Sequence, residues 1–224
     1  AIDPAGFASL QRAFAEASAR SVLLWDIMTE RHEITTLLQK AFSRIPSVFG
    51  ELLRGSVREP AVVKESVHHF SKQVSGAKVK RPAWFFDVAQ QGEGLVDITT
   101  HLVDLVQWEC FPGAILDFAK DIEILSAKRW PTLISPAQFT QVTQLPTFPD
   151  FLSKDLQADG KLHTYANGEI DYRIKGVHAK VAVLWNFEAP AGAVMGLVGL
   201  KGDGKTLRRW ELAGIIPPTR GRLV

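Results

Sequence analysis

Cysteine is nearly missing from this chain: Cys110 is the only one in 224 residues. A single thiol excludes an internal disulfide framework, so the fold has to rest on its own core. It also fits a reducing compartment, and a cytoplasmic protein is the expectation. Charge of one sign is lacking too. Lys and Arg number 26 against 24 Asp and Glu, a net charge of +2. That balance creates no strong field, so neither nucleic acid nor an anionic membrane is expected as a partner. No apolar run reaches the ~18 residues of a membrane span, and no signal-peptide pattern is visible. The chain opens Ala1-Ile2-Asp3-Pro4 without Met, so a targeting segment would have to precede it. Residues 1–190 contain no internal repeat and no low-complexity tract. What is present is ordinary for a globular protein: 46% hydrophobic and 22% charged residues, enough for one large or two small domains.

Asp3 and Pro4 read as an N-cap and first helical residue, and Phe7, Leu10 and Phe14 continue at helical spacing to about residue 18. Val22-Leu23-Leu24-Trp25 is a short continuous apolar run, the pattern of a strand buried on both faces of a parallel sheet. Ile34, Leu37, Leu38, Ala41 and Ile45 mark a second amphipathic helix, stopped by Pro46. Helix, buried strand and helix together predict the tail of a larger α/β unit over residues 1–50. The character then changes. Residues 62–70 and 78–88 read as strands, the second interrupted by Pro82. Residues 95–108 read as a helix, 115–128 as another long strand, and Ser135-Pro136 opens a short helix through Phe139 and Val142. Residues 162–165 and 170–174 flank Asn167-Gly168, the strongest hairpin signal in the chain. Val177, Ala179, Val181, Val183 and Trp185 alternate inward, with His178, Lys180 and Asn186 outward, as in a half-buried antiparallel strand.

The expected architecture is α+β: a mostly antiparallel large sheet with helices on one face, preceded by a remnant of a Rossmann α/β unit. Residues 51–190 form the substrate domain, and the glycine-rich, basic tail 191–224 is left without an assignment.

Chemistry concentrates in residues 92–108. On a helix, Asp97, His101, Asp104 and Trp108 share one stripe, while Leu95, Ile98, Leu102 and Leu105 share the opposite one. Histidine is the default proton-transfer group near neutrality. Asp97, one turn earlier, could orient it or bind a substrate hydroxyl. Gly92 and Gly94 lack Cβ atoms, which would let a ligand or cofactor ring approach the backbone at the helix start. The alternative is an exposed Asp–His pair worth a few tenths of a kcal/mol. Spacing alone leaves both open.

The segment Gly92-Glu93-Gly94-Leu95-Val96-Asp97-Ile98-Thr99-Thr100-His101-Leu102-Val103-Asp104 resembles the Gly-rich, Asp-x-x-x-His-x-x-Asp signature of the glucose–fructose oxidoreductase / inositol dehydrogenase (Gfo/Idh/MocA) family. Trp84-Phe85-Phe86-Asp87, Asp26 to Arg31, and the stretches around Asn167-Gly168, Gly176 to Lys180 and Trp185-Asn186 are similar to a sub-branch of it, over about residues 1–190. The resemblance implies NAD or NADP as cofactor and a sugar or polyol as substrate. It makes His101 the proton acceptor and Asp97 the substrate-binding, orienting acid. Asp104, Thr100 and Trp84 become substrate-side residues, Gly92 and Gly94 face the cofactor, and no metal is called for. It also implies oligomers formed through the open sheet face. Two family features are absent: the Gly-x-Gly-x-x-Gly turn and the Lys-Pro lysine. Without that turn the pyrophosphate has no helix N-terminus to rest on, so this chain alone is expected neither to bind the cofactor tightly nor to turn over. The other classes that remain open are a non-catalytic carbohydrate-binding or oligomerisation module and an NAD-dependent glycosidase.

Competing signals are weaker. Gly199 to Thr206 satisfies the P-loop pattern Gly-x4-Gly-Lys-Thr, but too little chain follows for a nucleotide-binding sheet. His68 and His69 are strand neighbours pointing to opposite faces, so only one of them could join His101 and Asp97 around an ion. His163 and His178 are expected on a strand surface, and His32 in the first turn of the second helix. Trp84, Phe85, Phe86, Trp108, Trp130 and Trp185 are many aromatics for one layer, suited to a core, a sugar face or a sheet-to-sheet interface.

Overall fold

Three hydrophobic periodicities in the sequence become three elements with the expected bounds. Pro4–Ala19 is helix α1, Ile34–Ser43 is α2, and Val62–Ser71 is strand β1. In the computed structural model, residues 4–26, 28–49, 51–74, 77–188, 197–200, 210–213 and 222–223 are described. Helix α3 (Pro46–Phe49) precedes β1, and between β1 and the central helix lie the small ladder of β2 (Gln73–Val74) with β3 (Ala77–Lys78), a 3-10 turn at Ala83–Phe86, and α4 (Val88–Gln91). The central helix comes in two pieces, α5 (Gly94–Asp97) and α6 (Thr99–Cys110). Then follow α7 (Phe118–Asp121), β4 (Ile122–Ile134), α8 (Pro136–Thr143), β5 (Leu162–Ile174) and β6 (Val177–Glu188). The tail adds β7 (Leu197–Leu200), β8 (Trp210–Ala213) and β9 (Arg222–Leu223).

The strands form one sheet in the order β4-β5-β6-β1-β7-β8-β9. Every pairing is antiparallel except β1 with β6, where Val62 faces Ala179 and His68 faces Trp185. The mixed α+β architecture with a mostly antiparallel sheet is therefore as expected. Helix α6 lies over β1 and β6. Beneath it Val62, Leu102, Val106, Tyr172, Ile174 and Val181 make one core cluster. Full burial of aliphatic side chains like these stabilises by about 1.5–3 kcal/mol each. A second, aromatic cluster holds Phe70, Phe86, Phe139, Leu162, Val183 and Trp185. The other sheet face carries ion pairs between strands: Glu169 joins Lys128 and Lys180, and Arg173 joins Glu123.

Four expectations are corrected. Residues 22–25 form no strand: no described strand pairs with them, and Leu23 and Trp25 are 80% and 79% exposed. A buried parallel strand needs neighbours on both edges, and the described part of residues 1–50 has helices α1, α2 and α3 but no strand. Residues 84–87 are likewise not a strand. Pro82 cannot donate to a ladder, and the chain turns into the 3-10 segment, sending Phe86 into the core. The expected strand at 115–128 starts late, because Asp117 caps α7 by accepting from the Ala119 N–H.

The fourth concerns Asn167-Gly168, which lies inside β5 rather than at a turn. The register shifts between Trp130 and Thr132, around Pro131 of the edge strand, and Asn167 fills that irregularity. Its amide donates to the Trp130 carbonyl and Thr132 Oγ1, and its side-chain oxygen accepts from the Trp185 N–H at 2.7 Å. Gly168 is required for a different reason: a Cβ there would stand 2.3 Å from Leu95 Cδ2. The true hairpin is Lys175-Gly176, both at positive φ (48° and 79°), joining β5 to β6.

The tail, unassigned from sequence, supplies the strand neighbouring β1 on its second edge. Gly199 and Leu200 of the P-loop match belong to β7, and its residues 201–206 lie outside the described residues.

Candidate functional site

Asp87 accepts from the Ala89 N–H and so starts α4; Gln90 and Lys154 hold its carboxylate and keep its pKa below the usual value. Gly92, at φ 93°, ends α4 and redirects the chain into α5. Gly94 then presses against β5 so closely that a Cβ would stand 1.8 Å from the Ala166 carbonyl oxygen. The geometry thus gives Gly94 a packing reason, whereas a Cβ at Gly92 would only touch Val96 at 3.9 Å, and glycine is favoured there by its φ of 93°. Thr99 ties the two helix pieces together by donating to the Gly94 carbonyl at 2.8 Å.

This docking puts Asp97 on a small, tight cleft with free space of about 20 Å³, close to that of one water. Phe70, Phe85, Tyr165 and Trp185 give it aromatic walls, with Gln91 and Asp97 as its polar end. Gln91 donates to Asp97 Oδ2 at 3.0 Å. Aromatic walls with a few placed polar groups are the usual make-up of a small-molecule site, and rings suit sugar faces. Of the residues predicted from sequence, Asp97, Gly92 and Gly94 line this cleft. Trp84 does not; it is 46% exposed, and Phe85 and Trp185 take the aromatic places. Thr100 and Asp104 line a shallower groove beside α6.

The rest of the stripe is engaged by the N-terminal segment. His101 Nδ1 is 2.7 Å from Glu30 Oε2, although the carboxylate lies off the ring N–H direction, so the contact is electrostatic rather than a well-aligned hydrogen bond. Asp104 receives two bonds from the Arg31 guanidinium, a fork-to-fork pair that raises the arginine's pKa. Lys40 sits 3.4 Å from the centre of the Trp108 ring, and burial lowers its pKa. One turn of α6 further round, Glu109 accepts from Gln39 and from Lys64 Nζ, the latter at 2.7 Å with the two charged side chains 1% and 0% exposed. Sequence reading missed Glu30, Arg31, Gln39 and Lys40 as partners of the stripe, since nothing local joins residues some 70 positions away.

His68, on β1 beneath the helix layer, stacks on Trp185 with ring centres 4.8 Å apart, and its Nε2 is 2.7 Å from Ser66 Oγ. Burial, then the charges of Lys72, Arg81, His69 and His101, push its pKa down to about 4, so the ring is neutral at physiological pH. Cys110 is held as an inert thiol by burial, with a pKa near 12. Among the described residues no three His, Cys, Asp or Glu side chains come together as a metal site.

Residues 38–203 match the model of the family described as "Putative oxidoreductase C terminal domain". A crystal structure of a "putative oxidoreductase" from Parabacteroides merdae is similar, with a TM-score of 0.79 and 48% sequence identity over 97% of this chain. The match spans 52% of that protein's chain, so the present chain corresponds to about half of it. Among curated proteins no match was found. With most of its length matched by the family model, the chain belongs to the oxidoreductase C-terminal domain family.

Proposed function

We propose that this chain provides the substrate side of an NAD(P)-dependent oxidoreductase of the Gfo/Idh/MocA kind, acting on a sugar or polyol. The observation that carries the reading is the aromatic cleft ending on Asp97; His101, four residues on at the start of α6, lies outside the cleft lining with Nδ1 against the Glu30 carboxylate. Aromatic faces would hold the sugar ring, Asp97 and Gln91 would take hydroxyls, and His101 would accept the hydroxyl proton through Nε2 while Glu30 holds Nδ1. The nicotinamide supplies the hydride acceptor when bound. The residues here fit only one edge of that cofactor. Gly92, without a side chain, would be the backbone position nearest a cofactor ring, but no glycine-bearing helix start among the described residues is placed for a pyrophosphate. Consistent with residues 1–50 being the end of a dinucleotide domain, Phe7, Phe14, Leu23 and Trp25 carry apolar surface that a parallel sheet would cover. The ion-paired open sheet face is the candidate oligomer contact.

A non-catalytic carbohydrate module is the second reading, favoured by the engagement of Asp104 and Trp108 in packing. Full-length protein with NAD⁺ or NADP⁺ and a polyol panel separates the two. Appearance of reduced cofactor is expected, falling at least about a hundredfold in His101→Ala; unchanged turnover removes His101 from the role. NADH added to the present chain alone is expected to show no micromolar binding.

A further inference from the structure

The cleft beside Asp97 has room for one water molecule, with free space of about 20 Å³. It is not a purely apolar void. On β5, Leu162 and Ala166 belong to the aromatic core cluster, and Thr164 between them faces the same side of the sheet. Thr164 lines the cleft and is only 3% exposed, yet its Oγ1 has no hydrogen-bond partner among the described residues. Thr132, its ladder partner on β4, turns its own hydroxyl elsewhere, donating to the Trp185 carbonyl and accepting from Asn167. Asp97 and Gln91 line the same space and are joined to each other at 3.0 Å. A buried hydroxyl without a partner is costly, and a cavity of this size stays dry only where its lining is apolar. Thr164, Asp97 and Gln91 all border this one, within the roughly two to four polar partners that a buried water uses.

We propose that this cleft is a one-hydroxyl pocket. In the free protein a single ordered water sits on Thr164 Oγ1, and in the complex one hydroxyl of the sugar or polyol takes its place. The second half rests on the sugar reading above and narrows it. One hydroxyl of the substrate enters the cleft, while the carbon frame stays outside, where the half-buried Phe85 and Tyr165 offer ring faces. A hydroxyl is the part of such a molecule that matches a water in both size and donor–acceptor character.

The test uses the full-length protein and two variants. Thr164→Val keeps the shape and removes the hydroxyl; Thr164→Ser keeps the hydroxyl. A high-resolution crystal structure of the free protein is expected to show one water within hydrogen-bond distance of Thr164 Oγ1, retained in Thr164→Ser and lost or displaced in Thr164→Val. The melting temperature of Thr164→Val should be unchanged or lower, because the hydroxyl it removes was satisfied; an unpartnered hydroxyl would make the same change stabilising. No water on Thr164, or a higher melting temperature in Thr164→Val, overturns the pocket. Kinetics with the best polyol of the panel read the second half. KM is expected to rise about tenfold in Thr164→Val, as loss of one hydrogen bond gives, and to return toward its original value in Thr164→Ser. A water in place with KM unchanged in Thr164→Val overturns the substrate half. A water in place with no polyol turned over removes the sugar reading, and the substrate half with it, but keeps the water site. Polyol turnover without a water on Thr164 does the reverse.

Discussion

Lys64 and Glu109 offer the sharpest energetic test. Lys64 lies on β1 and Glu109 on α6, with both side chains out of contact with water and Nζ 2.7 Å from Oε2. Replacing Glu109 with Leu leaves an ammonium group in the core with no counter-charge. Breaking a pair in this way costs about 3–5 kcal/mol. The Gln39 bond to the same carboxylate goes with it, adding about 1 kcal/mol. Against a total stability of about 5–15 kcal/mol the single variant should be severely destabilised. The double variant Lys64→Met/Glu109→Leu removes both charges at similar volume, and exchanging a buried pair for apolar groups is often neutral or stabilising. It should therefore recover most of the loss. Urea unfolding followed by tryptophan fluorescence measures all three proteins. A single variant that loses less than about 1 kcal/mol, or a double variant no more stable than the single, refutes the argument that burial makes each charge dependent on the other.

Gly168→Ala should cost about 1–3 kcal/mol because its Cβ meets Leu95, and Leu95→Ala in the same protein should recover part of that, read as a shift in melting temperature. His68, with a folded-state pKa of about 4 against an ordinary 6.5, makes the folded protein bind its proton later than the unfolded chain. Stability from the neutral ring is complete above about pH 6.5 and is lost as pH falls toward 4; His68→Gln should flatten that part of the stability profile. On the proposed mechanism, Glu30→Gln should lower kcat about tenfold with little change in KM and an unchanged melting temperature, since it disturbs only the orientation of His101; a change confined to stability would make Glu30 a packing residue.

Much of the fold was legible wherever burial imposes a period on the sequence. Strand β6 shows its alternation from Val177 to Trp185, and α8 announces itself by the Ser135 capping box. Local signals misled where the deciding contact is distant. Asn167-Gly168 carries the composition of a turn, yet its form is set by Pro131 and Leu95, and the two-residue turn fell to the less telling Lys175-Gly176. Val22 to Trp25 has the hydrophobicity of a buried strand, but a strand exists only with neighbours to bond. Asp97, which lines the candidate cleft, stood out in sequence through the family signature rather than through its spacing, which left an ordinary surface pair equally open. Lys64 and Glu109 look like surface charges in sequence because nothing local distinguishes a charge paired across layers from one in water. Glu30 and Arg31 were invisible as site residues for the same reason.

The placement of β1 has a consequence for how the molecule is made. It is the earliest strand of the large sheet, yet both of its ladder partners, β6 and β7, come from the last third of the chain. Strands β5 and β6, joined by a hairpin, and β4, joined to β5 through α8, can assemble from nearer neighbours, while β1 must wait for loop closure over more than half the sequence, a slow step by its entropy alone. During synthesis, Val62–Ser71 would leave the ribosome long before any partner strand exists. In that interval it is an unpaired, aggregation-prone segment, and the Lys64 and Glu65 charges within it, with Lys72 just after it, oppose association until β6 arrives.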